Sequence, residues 1–314
     1  MAKRDWKTYE KELLERKRKV VEFILSRPTV DEVIKELDKL NKKKKGRKFQ
    51  VPKSVLLLFH FLKQIFRMDD RTLALMMSAF MNTLLPRPTP FDHSTIVKRR
   101  HELDLSIPSG ITPEKLNGKR LYFDGMCLRV GRGGYYRSKR YKTEVKYLRI
   151  GLFTDENDKV VDFSIGDEHD SEKSMIREKL PHMEKSKADA VVIDGAGAFK
   201  DLVYGLAKNN IKPVIRVNDK SVESMMRKPP PHLCARRKKD IELAWEKQVR
   251  GQADYDRWKK DSGYTMRWVH SEGVISSFKR MFGEETFGRT QKSLHDEVCA
   301  KFMMFDGCLP QLWG

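Results

Sequence analysis
The sequence predicts an α/β fold, a mixed sheet flanked by helices, with an all-α region ahead of it. Up to about residue 117 the apolar residues recur at helical spacing, and beyond it strand-like runs alternate with helical ones. A third observation concerns the second part alone. Asp124, Asp194 and Glu272 are isolated carboxylates on or beside its regular elements, in a chain that is otherwise strongly basic.

Residues 6–26 read as an amphipathic helix, with Trp6, Tyr9, Leu13, Val20 and Ile24 at helical spacing. Pro28-Thr29 breaks it, and Val30, Val33, Ile34, Leu37 and Leu40 mark a second helix. A basic run, 41–48 (Asn-Lys-Lys-Lys-Lys-Gly-Arg-Lys), follows. It reads as a solvated linker or as an arm whose lysines contact phosphates and release counterions. Residues 1–50 hold 17 Lys/Arg against 9 Asp/Glu, which supports the arm.

Residues 51–117 form a second helical region. Ser54 to Phe66 is strongly apolar, Asp70-Arg71-Thr72 offers a cap before Leu73–Leu84, and Pro86, Pro88 and Pro90 make a joint. A third helix opens at Asp92-His93-Ser94-Thr95. Its polar start at Ser94 and Thr95, its apolar side at Ile96 and Leu103, and its basic residues Lys98, Arg99 and Arg100 suit a recognition helix. Three short helices ending on a basic one suggest a helix-turn-helix module. The plainer alternative is a helical bundle with one basic, solvated face; the charge of the whole chain favours DNA binding.

From 118 to the end the sequence reads as one α/β domain. Strand-like segments at 120–130, 145–154 and 159–165 are separated by turn chemistry at 131–134 and at 155–158, which predicts an antiparallel meander. A helix at 171–184, a strand at 189–194, a helix at 198–209 and a strand at 212–217 follow. Residues 218–262, with Pro229-Pro230-Pro231 and little periodicity beyond a short helix at 240–250, read as an insertion or long loop. A final helix begins near 265. The order β-β-β-α-β-α-β-α is that of a ribonuclease H-like fold.

Composition bounds the partners. The 314 residues include 64 Lys/Arg and 44 Asp/Glu, a formal charge of +20, which draws polyanions, nucleic acid first among them. No stretch approaches the roughly 18 apolar residues of a membrane span, and the first residues show no apolar signal core, so a cytoplasmic, nucleoid-associated protein is expected. The four cysteines (127, 234, 299 and 308) make no Cys-x-x-Cys pair, which argues against structural zinc and disulfides.

Each acid has a bland reading when taken alone. Asp124-Gly125 resembles a hairpin turn, Asp194 a helix cap, and Glu272 a glutamate favoured by a helix dipole. Against the first, the apolar pattern runs through Asp124 from Leu121 to Val130. Together, on the first strand, after the fourth and on the last helix, the three make a divalent-cation site more specific. Two Mg²⁺ or Mn²⁺ ions roughly 3.5–4 Å apart activate an attacking hydroxyl and stabilise a leaving oxygen at a phosphodiester. Carboxylates are the hard ligands such ions take. On the last helix Glu272 and Lys279 are two turns apart and share a face, with Tyr264 and Arg267 before them and Arg280 beyond.

At these residues the chain resembles the DDE-type insertion-sequence transposases of bacteria and archaea. The resemblance lies in Asp-His-Ser-Thr-Ile at 92–96, Val-Ile-Asp-Gly-Ala-Gly-Ala-Phe at 192–199 and Glu-Gly-Val-Ile-Ser-Ser-Phe-Lys-Arg-Met-Phe-Gly-Glu at 272–284. The family signature around the third acid is Tyr, two residues, Arg, three residues, Glu, six residues, Lys. Tyr264, Arg267, Glu272 and Lys279 follow it with one extra residue between Arg267 and Glu272, which on a regular helix turns the face by about 100°. The resemblance implies Asp124, Asp194 and Glu272 as metal ligands and catalytic residues, and Lys279 and Arg267 as contacts to transposon-end DNA. It also implies terminal inverted repeats and target DNA as substrates, and a homodimer on paired ends. Phe199 reads either as a core aromatic or as a platform for an unpaired base. Two other functions fit the same residues: a host nuclease of this fold, and a catalytically silent helix-turn-helix regulator.

Overall fold
The computed structural model describes residues 6–25, 29–46, 49, 51–84, 92–100, 102–103, 105, 110–131, 147–227, 236–288 and 290–306. The proline joint at 86–90, the glycine-rich separator beyond Gly131, the triple proline at 229–231, Cys234 and Cys308 lie outside these residues. The chain divides into two compact units, Trp6–Ile107 with Met281–Gly314, and Pro108–Arg280 with Met1–Asp5.

The first unit is helical: α1 (Trp6–Leu25), α2 (Val30–Asn41), α3 (Lys53–Phe66), α4 (Asp70–Leu84) and α5 (His93–Arg100). A capping box starts α2, where the Thr29 backbone N–H donates to Glu32 at 2.7 Å and the Glu32 N–H to the Thr29 hydroxyl at 3.3 Å. Beyond α2 the Asn41 side chain bonds both backbone groups of Phe49, at 2.9 and 2.7 Å. Of the lysine run that begins here, Lys42, Lys43 and Lys45 are exposed. The core is supplied by Val55, Phe59 and Phe61 of α3 and by Leu73, Met77 and Met81 of α4, all buried.

The second unit runs α6 (Pro113–Leu116), β1 (Arg120–Val130), β2 (Tyr147–Asp155), β3 (Val160–Gly166), α7 (Glu172–Lys185), β4 (Ala190–Ile193), α8 (Lys200–Lys208), β5 (Lys212–Ile215), α9 (Asp219–Arg227), α10 (Arg236–Arg250), α11 (Tyr255–Asp261) and α12 (Gly273–Phe282). Its strands lie in the order β3-β2-β1-β4-β5. β1 pairs antiparallel with β2 and parallel with β4, β2 antiparallel with β3, and β4 parallel with β5. This is a mixed α/β sheet, and the meander at its start matches the sequence reading.

Both faces of the central strands are buried, so they read as continuous apolar runs rather than alternating ones. Leu121, Phe123, Val191 and Ile193 join the larger core with Ile176 of α7 and Leu202 and Leu206 of α8. The opposite face carries Tyr122, Val192 and Val214 beneath Tyr264, Trp258 and Met266. This second face holds the site.

Two expectations about the elements are corrected. The insertion at 218–262 is largely helical among its described residues: α9, α10 and α11 occupy it, and α10 packs on α8. Its periodicity is hidden because the buried positions of α10 include Glu246 and Gln248 beside Val249. The Gln248 amide donates to the Ile215 carbonyl at 2.8 Å, and just past the helix Gln252 donates to it at 2.7 Å and accepts from the Val217 N–H at 2.9 Å. Polar side chains here finish the hydrogen bonding at the end of β5, work that hydrophobic patterning does not register.

The sequence also assigns everything after 118 to one domain, whereas residues from 281 belong to the helical unit. There α13 (Gln291–Asp306) packs on α3 and α1, burying Val298, Cys299, Phe302 and Phe305. Its buried Glu297 accepts the Phe287 and Gly288 N–H groups and pairs with Lys301 at 2.8 Å. A helix that buries a paired glutamate and lysine looks solvent-facing in sequence. Among the described residues no helix is long and apolar enough to cross a membrane.

Candidate active site
Alternation along the strands decides where the first two acids go. Asp124 and Asp194 have even numbers, as do Tyr122 and Val192, and so they share the face beneath Tyr264. The parallel register pairs Tyr122 with Val192. Two residues beyond that pair stand Asp124 and Asp194, near enough that the charge of Asp194 acts on the Asp124 carboxyl. The chain turns left from β1 into β2 and β3 and right into β4 and β5. The two acids therefore stand where strand order reverses, the usual place for a ligand site in an open α/β sheet.

Asp124 is 13% exposed; one carboxylate oxygen accepts the Gly125 N–H at 2.9 Å and the other accepts from Arg267 at 3.0 Å. Asp194 ends β4 and caps the 3₁₀ turn Gly195–Gly197, accepting the Ala196 N–H at 2.9 Å. The capping role read as the plainer alternative is thus present, and it uses one of two oxygens. Glu272 accepts from the other terminal nitrogen of Arg267 at 3.0 Å. One guanidinium therefore ties the first and third acids, which keeps their oxygens well within about a nanometre of each other.

Arg267 reaches both because residues Trp268–Glu272 form a π-helical turn, closed by the Gly273 N–H on the Trp268 carbonyl. The wider turn lets Arg267 and Glu272 meet although they are five positions apart, so the face shift expected on a regular helix does not occur. It is seated on the sheet by His270. The Thr154 hydroxyl donates to the His270 carbonyl at 2.6 Å, the His270 ring meets Asp158 at 2.8 Å, and Tyr122 lies against it at 4.7 Å between ring centroids.

Burial and neighbouring charge set the protonation chemistry. Burial raises the Asp124 carboxyl above the ordinary aspartate range, with Arg267 opposing and Asp194 adding to the rise. Glu272 is raised for the same reason, with Arg267 again opposing and Asp124 and Asp194 contributing. Burial works against the charge on Arg267, yet Asp124, Tyr264 and Glu272 outweigh it and hold the guanidinium above its usual value. The acids thus crowd negative charge into a half-buried site where a cation relieves it.

A fourth acid escaped the sequence reading. Glu172, the first residue of α7, approaches from the other face of the sheet, against the bare Cα of Gly125. Burial, then Asp194 and Asp124, raise its carboxyl, with Arg149 opposing. In sequence it is a glutamate after a serine cap, a common helix start with no mark of chemistry. His270 was missed for a similar reason: a single histidine on a helix carries no signal without the strands it meets.

The other candidates are placed unevenly. Tyr264 is buried, 5.2 Å from the Trp258 ring, and Arg267 is buried in its carboxylate pairs. Lys279 is half-buried and Arg280 exposed on α12. Ser94, Thr95 and Lys98 are exposed on α5, as expected of a reading face. Arg99 and Arg100 are not. Arg99 donates to the Val51 carbonyl and lies over the Phe49 ring, and Arg100 pairs with Asp70 at 2.6 Å. The outward basic side expected at 98–100 is Lys98 alone, because the two arginines tie α5 to its neighbours. Phe199 is buried in the core, with Lys173 and Arg177 over its ring at 5.2 and 5.1 Å.

A cavity of about 540 Å³ opens beside the acids, lined by Asp194, Gly195, Arg216, Asn218, Asp219, Tyr264 and Arg267. Among the described residues, no three carboxylate, imidazole or thiol groups stand ready-made as a metal cage; Arg267 lies between Asp124 and Glu272. The donor set nonetheless fits Mg²⁺ or Mn²⁺, being made of hard carboxylate oxygens beside an open cavity. No protein-family model matches the chain, and no curated protein matches it.

Proposed function
We propose that the chain is a DDE-type DNA transposase, with a ribonuclease H-like catalytic unit and a helix-turn-helix-like region that binds terminal inverted repeats. The observation that carries the reading is the placement of Asp124 and Asp194 on one face at the reversal of strand order, with Glu272 tied to Asp124 through Arg267. The charge of +20 supports a polyanionic substrate.

On this reading Asp124, Asp194 and Glu272 hold two divalent cations. Bound there, such ions supply an activated hydroxyl, from water or a DNA 3′ end, and charge stabilisation at the leaving oxygen. The chain does the rest. The sheet fixes the spacing of the two aspartates, the His270 anchors hold the π turn that carries Glu272, and Lys279 and Arg280 on α12 supply positive charge for the phosphates. Two copies would act on paired transposon ends, in the cytoplasm, on nucleoid DNA.

The test is cleavage of a plasmid carrying the DNA that flanks the gene, with and without Mg²⁺. The parent protein should nick at the ends of an inverted repeat only with the metal. Asp124→Asn should bind the same DNA and fail to cut it. Cutting by Asp124→Asn at the parental rate would remove Asp124 from the site, and metal-dependent cutting of branched or RNA-containing duplexes without regard to end sequence would favour a host nuclease.

A further inference from the structure
Arg267 is set apart from a purely structural arginine by the two acids that it spans and the cavity beside it. Its terminal nitrogens fork between Asp124 and Glu272 at 3.0 Å each, while its Nε is buried with no hydrogen-bond partner. Arg99, a structural tie, shares the unpaired Nε, but it does not fork between two carboxylates at hydrogen-bond distance. Arg267 also lines the cavity of about 540 Å³, so the side chain has open space beside its present position. The backbone beneath it is held independently, by Thr154 and Asp158 on His270. The side chain is therefore able to leave without unwinding the turn.

We propose that Arg267 is a positioning residue that serves as an internal counter-ion. Its guanidinium occupies Asp124 and Glu272, two of the acids that would hold a divalent cation, so binding the cation would require the guanidinium to leave them. This rests on the metal-dependent reading above. In the cation-free protein Arg267 keeps the two acids close and neutralised despite their burial. The same pairing must be broken before both acids turn to a metal, which weakens cation binding by the free energy of the fork. The π turn is the device that sets this balance, since a regular helix would swing Arg267 away by about 100°.

The experiment is a calorimetric titration of the full chain with Mn²⁺ alone, for the parent, Arg267→Gln and Arg267→Lys, each checked for folding by circular dichroism. Removing the competing charge should tighten Mn²⁺ binding in Arg267→Gln on the order of tenfold, within the usual range of coupling between two ligands of one site. Arg267→Lys should tighten it less, because an ammonium is a point charge that cannot fork between two carboxylates. The lysine variant keeps the charge and carries the test if the glutamine variant fails to fold. Unchanged or weaker binding in the folded variants overturns the inference and leaves the metal site standing. Absence of Mn²⁺ binding in all three proteins overturns the metal reading and the inference with it.

Discussion
Glu172 shows how a single carboxyl links the site to the stability of the fold. Burial and the nearby Asp194 and Asp124 raise its pKa in the folded state. Below the pKa of a free glutamate, about 4.3, the group is protonated in both states and costs nothing. As pH rises through the raised folded value, the native state must ionise it in poor surroundings, and stability falls. Glu172→Gln should therefore melt at a higher temperature than the parent at pH 7 and lose that advantage below about pH 4. A thermal melt at both pH values checks this, and a variant less stable than the parent at pH 7 would show that Glu172 is held by partners that prefer its charge. Asp70 runs the other way. Burial raises its carboxyl, but Lys63 and Arg100 more than offset this and bring it down to about 2, so its ion pairs persist far into acid. One acid is tuned for holding helices together and the other is left poised beside the aspartates.

At the scale of elements, the π turn is what brings the third acid to the first two. Its seat on the sheet depends on Thr154, whose buried hydroxyl donates to the His270 carbonyl. Thr154→Val keeps the shape and removes the donor, which should cost about 1–2 kcal/mol of unfolding free energy, read by urea denaturation. A change within a few tenths would mean the turn is held by the rest of its contacts. The strands and their acids were legible in the sequence because β1 and β4 are apolar runs that a lone aspartate interrupts or ends. The bridging of two acids by Arg267 was not, because the spacing from Arg267 to Glu272 predicts different faces on a regular helix. Only the π turn reconciles them. The helices within 218–262 were hidden for another reason, since Gln248 and Gln252 use buried positions for hydrogen bonds to β5 instead of apolar packing.

At the scale of the whole molecule, a surplus of charge is read easily and its direction is not. The net +20 points to a polyanion. Yet Arg99, Arg100, Arg267 and Lys301, four of the residues that make the sequence look basic, are buried in ion pairs or backbone contacts. Exposed positive charge is spread widely instead, on Lys42, Lys43, Lys45, Lys98 and Arg280 among many other side chains. The division into units also defies chain order, because α13 packs with α1 and α3 from the start of the chain and its buried Glu297–Lys301 pair disguises it as a surface helix. The central claim is that Asp124 and Asp194, with Glu272, form one divalent-cation site. Its most direct test is anomalous diffraction from crystals of the full chain grown with Mn²⁺. The account predicts manganese held by Asp124, Asp194 and Glu272, with the Arg267 fork opened. Manganese bound elsewhere, with the Arg267 fork intact, would contradict it.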